Sequence, residues 1–252
     1  GTTCAQVISV MISLVMIIRQ REKFSLSRKD FRPNRNVMGQ ILKIGIPIAL
    51  QDGFIQVAFM IITIIANQRG LNDAAAVGIV EKIISFLFLI PSSMLSTVSA
   101  LGAQNIGAGK RQRANETLRY AVMITVGFGI IVGIFMQFFA SPVVALFTDA
   151  SDASEVVRLG GQYLRGHVWD CMFAGIHFSF SGYFCACGKS GISFLHNIIA
   201  ITLVRIPGVY LTSTLFPDTL FPMGLATAAG SLLSAIICVV AFTILNQKER
   251  QK

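Results

Sequence analysis

Seven apolar runs, each about as long as a bilayer is thick, constrain this chain more than any other feature. They occupy residues 2–18, 42–67, 75–101, 119–147, 157–187, 191–214 and 223–246. About 20 largely apolar residues cross a hydrocarbon core of about 30 Å. Such runs must be helices, because an open sheet would leave unpaired backbone groups in lipid. The expected fold is an all-α polytopic membrane protein with seven transmembrane helices. Composition agrees: 54% of residues are hydrophobic and 13% charged, too apolar a balance for a water-soluble domain of this length. The net charge of +9 would suggest nucleic acid in a soluble protein. Here the basic residues gather in the gaps between runs, so the expected partner is the lipid bilayer and no nucleic acid is expected. An apolar run begins at once after Gly1, with neither an initiating Met nor a signal-peptide leader, so the sequence reads as starting partway through a longer protein.

Charge sets the orientation. Arg19, Arg21, Lys23, Arg28, Lys29, Arg32, Arg35 and Lys43 follow the first run, Lys110, Arg111, Arg113 and Arg119 the third, Lys189 the fifth, and Lys248, Arg250 and Lys252 close the chain. The other gaps hold Arg69 with Asp73, then Asp149, Asp152 and Glu155 near Arg158, then Asp218. The positive-inside rule therefore expects loops near 30, 110 and 189 and the C-terminus in the cytoplasm, and loops near 70, 152 and 218 outside. Pro47, Pro91, Pro142 and Pro207 fall within or near the ends of runs, where they kink helices. The five cysteines lie in apolar runs and are expected to pack as reduced thiols. A zinc site at Cys185 and Cys187 is disfavoured because Cys-x-Cys on a helix points its thiols apart, and no metal site is expected.

Ionisable groups within a span are costly and mark candidate functional positions. The fifth run holds the richest set: Tyr163, His167, Asp170, His177 and Ser181 share one helical face. Asp170 is either the centre of a cation or proton site facing a water-accessible interior, or a structural partner of Arg165 or Arg205. Arg205 itself is either that counter-ion or a snorkelling side chain. The second run carries Asp52, Gln56 and Thr63; Asp52 is either functional or bonded to backbone freed by Pro47. The third carries Glu81 with Ser85, Ser92, Ser96 and Ser99, hydroxyls that either line a pathway or pack helices together.

Between the third and fourth runs lies Gly102-Ala-Gln-Asn-Ile-Gly-Ala-Gly-Lys-Arg-Gln-Arg-Ala114. It lacks the Ser or Thr after Lys110 and the first glycine of a phosphate loop, and the third glycine of a dinucleotide fingerprint. Gln104-Asn105-Ile-Gly107-Ala-Gly109 with Arg113-Ala114 instead resembles the loop after the eighth helix of the multidrug and toxic compound extrusion (MATE) family. Gly45-Ile-Pro-Ile-Ala-Leu-Gln51 resembles the opening of its seventh helix. Asp170-Cys171, Gly182-Tyr-Phe184, Cys187-Gly-Lys189 and Arg205-Ile-Pro207 are similar to the tenth and eleventh helices of a bacterial subgroup common in Firmicutes. The resemblance covers essentially the whole chain. It implies that residues 1–18 are the last helix of a first lobe, 19–41 a basic cytoplasmic linker, 42–246 a complete six-helix second lobe of a twelve-helix fold, and 247–252 a cytoplasmic tail.

The resemblance further implies a secondary active exporter in the bacterial inner membrane. It would move drugs or metabolites, typically small organic cations, in exchange for Na+ or H+ by alternating access, with no cofactor and with the first lobe of the same protein as partner. Some members hold sodium with carboxylates of the seventh and tenth helices. Gln56 lies near the first position and Asp170 about a turn and a half from the second, a departure that leaves the coupling ion open. The alternatives are a lipid-linked oligosaccharide flippase, to which Lys82, Arg165 and Arg205 would offer cationic groups, and a non-transporting structural membrane subunit. An intramembrane hydrolase on Asp170, His167 and His177 lacks a His-Glu-x-x-His or Gly-x-Ser-x-Gly motif, so no enzyme is expected.

Overall fold

The seven runs become seven helical rods, several of them broken where the backbone loses a hydrogen bond. The computed structural model describes residues 2–19, 33–148 and 153–250, and among these every regular element is helical. The rods are α1 (Thr2–Arg19), α2 (Arg35–Arg69), α3 and α4 (Leu71–Leu87, Leu89–Gly107), α5 (Arg111–Ala145), α6 and α7 (Ala153–His167, Asp170–Ala186), α8 and α9 (Ser190–Ala200, Ile206–Leu215) and α10 (Phe221–Arg250). Five rods are long and apolar enough to cross a membrane: α2, α3–α4, α5, α8–α9 and α10. The apolar stretch of α1 is shorter, Thr3–Met16, and α6–α7 carries the polar stripe. Arg21, Lys23, Arg28, Lys29, Arg32, Asp149, Asp152 and Lys252, with the side chains of Lys248 and Arg250, lie outside the described residues.

The chain divides into two compact units, Gly1–Leu42 and Lys43–Lys252. In the first, α1 exposes its described side chains, and Asn34 caps α2 by accepting the Asn36 amide at 3.0 Å. In the second, small residues bring backbones together. A Cβ at Gly129 would lie 2.5 Å from Met172 Cβ, one at Gly175 2.5 Å from Thr125 Cβ, and one at Gly182 2.5 Å from the Leu95 carbonyl oxygen. These contacts press α7 against α5 and α4, as small residues do in membrane bundles. The core runs through Ile62, Val77, Ile84, Tyr163, Leu164, Val168 and Met223.

The breaks have separate causes. Pro47 cannot donate to the Lys43 carbonyl four residues back, and the Ser190 hydroxyl donates to that oxygen instead, at 3.2 Å. Pro91 sits just past the irregular Phe88 that divides α3 from α4. Pro207 follows a π-helical turn, Ile201–Arg205, where the Ile206 amide reaches back to Ile201. The division of α6 from α7 departs from the continuous helix expected over 157–187. There the Cys171 and Met172 amides bond to Val168 and Trp169, three residues back, at 3.1 and 3.2 Å. This tightening has no proline behind it.

The loop motif proves to be a helix stop. Gly109 adopts φ +72°, its amide bonds to the Ile106 carbonyl and the Lys110 amide to the Asn105 carbonyl. That is the Schellman pattern, in which glycine alone takes the left-handed turn without strain. Asn105 Nδ2 also donates to the Leu101 carbonyl, and the Gln104 carbonyl accepts the Ala108 amide. Gly188, at φ +68°, repeats the pattern with the Gly188 and Lys189 amides on Cys185 and Phe184.

The loops sort to two ends of the second unit. At one end Arg69 donates to the carbonyls of Ser213, Phe216, Pro217 and Thr219 and pairs with Asp73 at 3.0 Å. Gln162 there accepts from Thr219 and from the Leu220 amide. At the other end Ser190 meets Lys43, and the Tyr183 hydroxyl donates to Asn115 at 2.7 Å. The loops near 70 and 218 thus share an end, and those near 110 and 189 share the opposite one.

Candidate functional site

The stripe of the fifth rod converges on side chains from three other helices. The Tyr163 hydroxyl donates to Glu81 Oε1 at 3.0 Å. His167 lies between two carboxylates, its Nδ1 3.5 Å from Glu81 Oε1 and its Nε2 3.5 Å from Asp170 Oδ2. Arg205 Nη2 donates to Asp170 Oδ2 at 2.7 Å, to Ser231 Oγ at 2.8 Å and to the Thr227 carbonyl at 3.4 Å. Tyr163, His167 and Asp170 are wholly buried and Arg205 is 7% exposed. Five of the expected residues, Glu81, Tyr163, His167, Asp170 and Arg205, therefore form one chain of polar groups.

Local structure explains the convergence. The tightened turn at Val168–Trp169 keeps His167 and Asp170 on one side of the rod, and the π turn directs Arg205 toward them. Gly230 leaves room for the guanidinium stem, since a Cβ there would lie 2.8 Å from Arg205 Cβ. Gly166 and Gly224 let α6 and α10 touch: a Cβ at Gly166 would sit 2.5 Å from the Phe221 carbonyl oxygen, and one at Gly224 would meet the Tyr163 carbonyl and the His167 amide.

Three expectations change. Asp170 does not face a water-accessible interior, because neighbouring helices cover it completely. Arg165 is not its partner; its Nε donates to the Gln137 carbonyl at 3.1 Å and its Nη2 reaches Ser141 Oγ at 3.4 Å. Arg205 does not snorkel, because Asp170, Ser231 and Thr227 hold it inside. Ionic bonding satisfies only part of the cluster: Asp170 Oδ1 and both His167 nitrogens have no aligned hydrogen bond.

Beyond Arg205 lies a cavity of about 50 Å³ bordered by His177, Asn197, Ser231 and Ser234. His177 Nδ1 and Asn197 Nδ2 are buried there without partners. His196, absent from the sequence expectations, bonds with Ser181 through Nε2 at 2.9 Å and with Ser234 through Nδ1 at 2.6 Å, tying α7, α8 and α10 together. His196, Asn197, Ser231 and Ser234 all stand within apolar runs, where a polar residue is itself a signal. Their partners are distant in sequence, so the signal did not say what they meet.

Asp52 and Gln56 stand apart from this cluster. Both are exposed and line a groove of about 320 Å³ with Phe59, Ser85, Phe88 and Phe178. Asp52 makes no bond to backbone freed by Pro47: the freed Lys43 carbonyl needs a donor, which the Ser190 hydroxyl is and a carboxylate is not. Gln51 beside it is fully buried with neither amide atom partnered. Ser85 and Ser92 donate to carbonyls of their own rod, Glu81 and Leu89. The loop residues Gln104, Asn105, Gly107 and Gly109 form the helix stop and take no part in either site.

The MatE family model matches residues 47–211. The chain is 27% identical to the probable multidrug resistance protein YpnP of Bacillus subtilis over 214 residues, 84% of this chain and 47% of that protein. It is 25% identical to the multidrug export protein MepA of Staphylococcus aureus over 243 residues, 96% of this chain and 51% of that one. Its fold matches the crystal structure of MATE in complex with MaL6 with a TM-score of 0.89 at 18% identity, over 98% of this chain and 55% of the other. The chain spans about half the length of the curated relatives it matches.

Proposed function

This chain belongs to the MatE family, and we propose that it supplies the six-helix second lobe, with one helix of the first, to a secondary active exporter of small organic cations. The observation that carries the reading is the groove at Asp52. One carboxylate stands at the edge of a cleft walled by Phe59, Phe88 and Phe178. Aromatic faces attract cations and bury apolar surface, while a carboxylate fixes the ligand's charge. Relatives named as a probable multidrug resistance protein and a multidrug export protein support the same role. Export is coupled to Na+ or H+, and the two lobes rock about a central cavity in alternating access. The basic loops near 110 and 189 face the cytoplasm of a bacterial inner membrane, as does the C-terminus.

The test is accumulation of ethidium, an aromatic monocation, in an efflux-deficient strain carrying the natural full-length protein. The protein is expected to lower accumulation, and Asp52→Asn to weaken ethidium affinity about ten-fold, the worth of one charge-assisted contact. Unchanged accumulation with the parent protein overturns the exporter reading. Cysteine labelling from outside intact cells checks the orientation: reaction at position 218 and none at position 110 is expected, and the reverse overturns it.

A further inference from the structure

Among the described residues, no carboxylate meets the charge of Arg165. Its Nε donates to the Gln137 carbonyl at 3.1 Å and its Nη2 to Ser141 Oγ at 3.4 Å, both neutral groups of α5. By contrast, Arg69 pairs with Asp73, Arg158 with Glu155 and Arg205 with Asp170. Arg165 Nη1 donates to no protein acceptor and is not enclosed, so it opens on the surface of the seam between α5 and α6. A cation in an apolar rod without a counter-ion is costly unless a charge from outside reaches it.

The depth of the seam identifies what that cation faces. Three residues before Arg165, Gln162 accepts from Thr219 and from the Leu220 amide. One residue after it, a Cβ at Gly166 would touch the Phe221 carbonyl oxygen, and Phe221 opens the apolar span Phe221–Gln247. Arg165 therefore stands where loop gives way to span, at the level of lipid headgroups. One turn deeper, Trp169 lies across Gly133 of α5, its ring 2.9 Å from where a Cβ would be. Tryptophan favours the boundary between headgroups and acyl chains. On the same stretch of α5, Ile134 is 52% and Phe138 73% exposed, apolar surface that suits acyl chains. The groove at Asp52 lies elsewhere, between α2, the α3–α4 rod and α7.

We propose that this seam binds an anionic phospholipid from the leaflet that meets the loops near 70 and 218. Its phosphodiester docks on Nη1 and Nη2 of Arg165, a planar set of donors suited to phosphate oxygens, and its chains lie along Trp169, Ile134 and Phe138. Arg158, two turns nearer the loop on the same face, has its charge answered by Glu155. Lipid docking here needs neither a transported substrate nor a given orientation.

The chain has one tryptophan, and it stands at the site. The natural full-length protein is reconstituted in phosphatidylcholine vesicles with rising fractions of chain-brominated phosphatidylglycerol, or of chain-brominated phosphatidylcholine as the zwitterionic reference. Bromine quenches a tryptophan that it touches, and subtracting the signal of Trp169→Phe isolates Trp169. Half-maximal quenching is expected at about a five-fold lower fraction of the anionic lipid, the worth of one basic residue at an anionic surface. Arg165→Gln should abolish that preference. Ser141→Asp, the second variant should Arg165→Gln not fold, sets a carboxylate against the guanidinium and should abolish it too. No quenching of Trp169, equal quenching by the two lipids in the parent protein, or a preference unchanged in the variant that folds overturns the lipid site.

Discussion

Asp170 and Arg205 show how position decides what a charged residue does. Each would be costly alone inside a lobe in lipid, and each is tolerated because the other lies 2.7 Å away. Removing one leaves the other buried and unpaired, at about 3–5 kcal/mol. Asp170→Ala should therefore reduce the amount of folded protein and lower its thermal midpoint before any question of transport arises. Asp170→Leu combined with Arg205→Met should recover much of the loss, because an apolar pair of similar volume restores packing without an orphan charge. Melting of the detergent-solubilised protein by fluorescence-detected size exclusion measures both. A double variant as unstable as Asp170→Ala would mean that the pair contributes more than mutual neutralisation. The Glu155–Arg158 pair is the opposite case. It is exposed, and the arginine holds the Glu155 carboxyl below its ordinary range. Whatever it contributes is present at neutral pH and lost as pH falls through that depressed value, and solvent and salt keep it small.

Helix packing depends on where a side chain is missing. Gly224 faces the Tyr163 carbonyl and the His167 amide, both backbone atoms that cannot swing aside. Gly224→Ala must push α10 off α6 and should cost about 1–3 kcal/mol, as overpacking does. It should also loosen His167 and, through it, the polar chain from Glu81 to Arg205. Gly127→Ala is the control, since nothing lies within 4 Å of a Cβ there, and alanine should leave the melt unchanged or raise it slightly through helix propensity. Equal melting of the two variants would remove the close crossing as a stabilising feature. The rods were legible in the sequence because lipid demands length and apolarity, and both are counted along the chain. The stripe from Tyr163 to Ser181 was legible from helical phase. The division at Val168–Trp169 was not, because no proline marks that turn and the nearby Gly166 serves the close crossing with α10. Nor was the choice between Arg165 and Arg205: the first lies five residues from Asp170 and the second 35, but the π turn and the space at Gly230 decide for the second. Asn105, Gly107 and Gly109 were legible as a motif, whereas their role in stopping a helix needed the Gly109 dihedral.

At the scale of the molecule, the second unit closes its own core while leaving the groove at Asp52 open. Asp170, His167 and Tyr163 are wholly buried within the unit Lys43–Lys252. Their bonded partners Glu81 and Arg205, and Ser231 and Thr227 that hold Arg205, all belong to that unit. Asp52 and Gln56, by contrast, remain exposed along one flank of α2. Stability and transport should therefore separate. Residues 43–252 expressed alone should insert, and in detergent should melt in a single cooperative transition that Gly224→Ala lowers, because the packed contacts are all present. The same fragment should not lower ethidium accumulation in an efflux-deficient strain, because alternating access requires a second lobe to rock against. Ethidium resistance from residues 43–252 by themselves would overturn the two-lobed mechanism and point to pairing of identical lobes. A fragment that fails to melt cooperatively would show instead that residues outside 43–252 are needed to complete the fold.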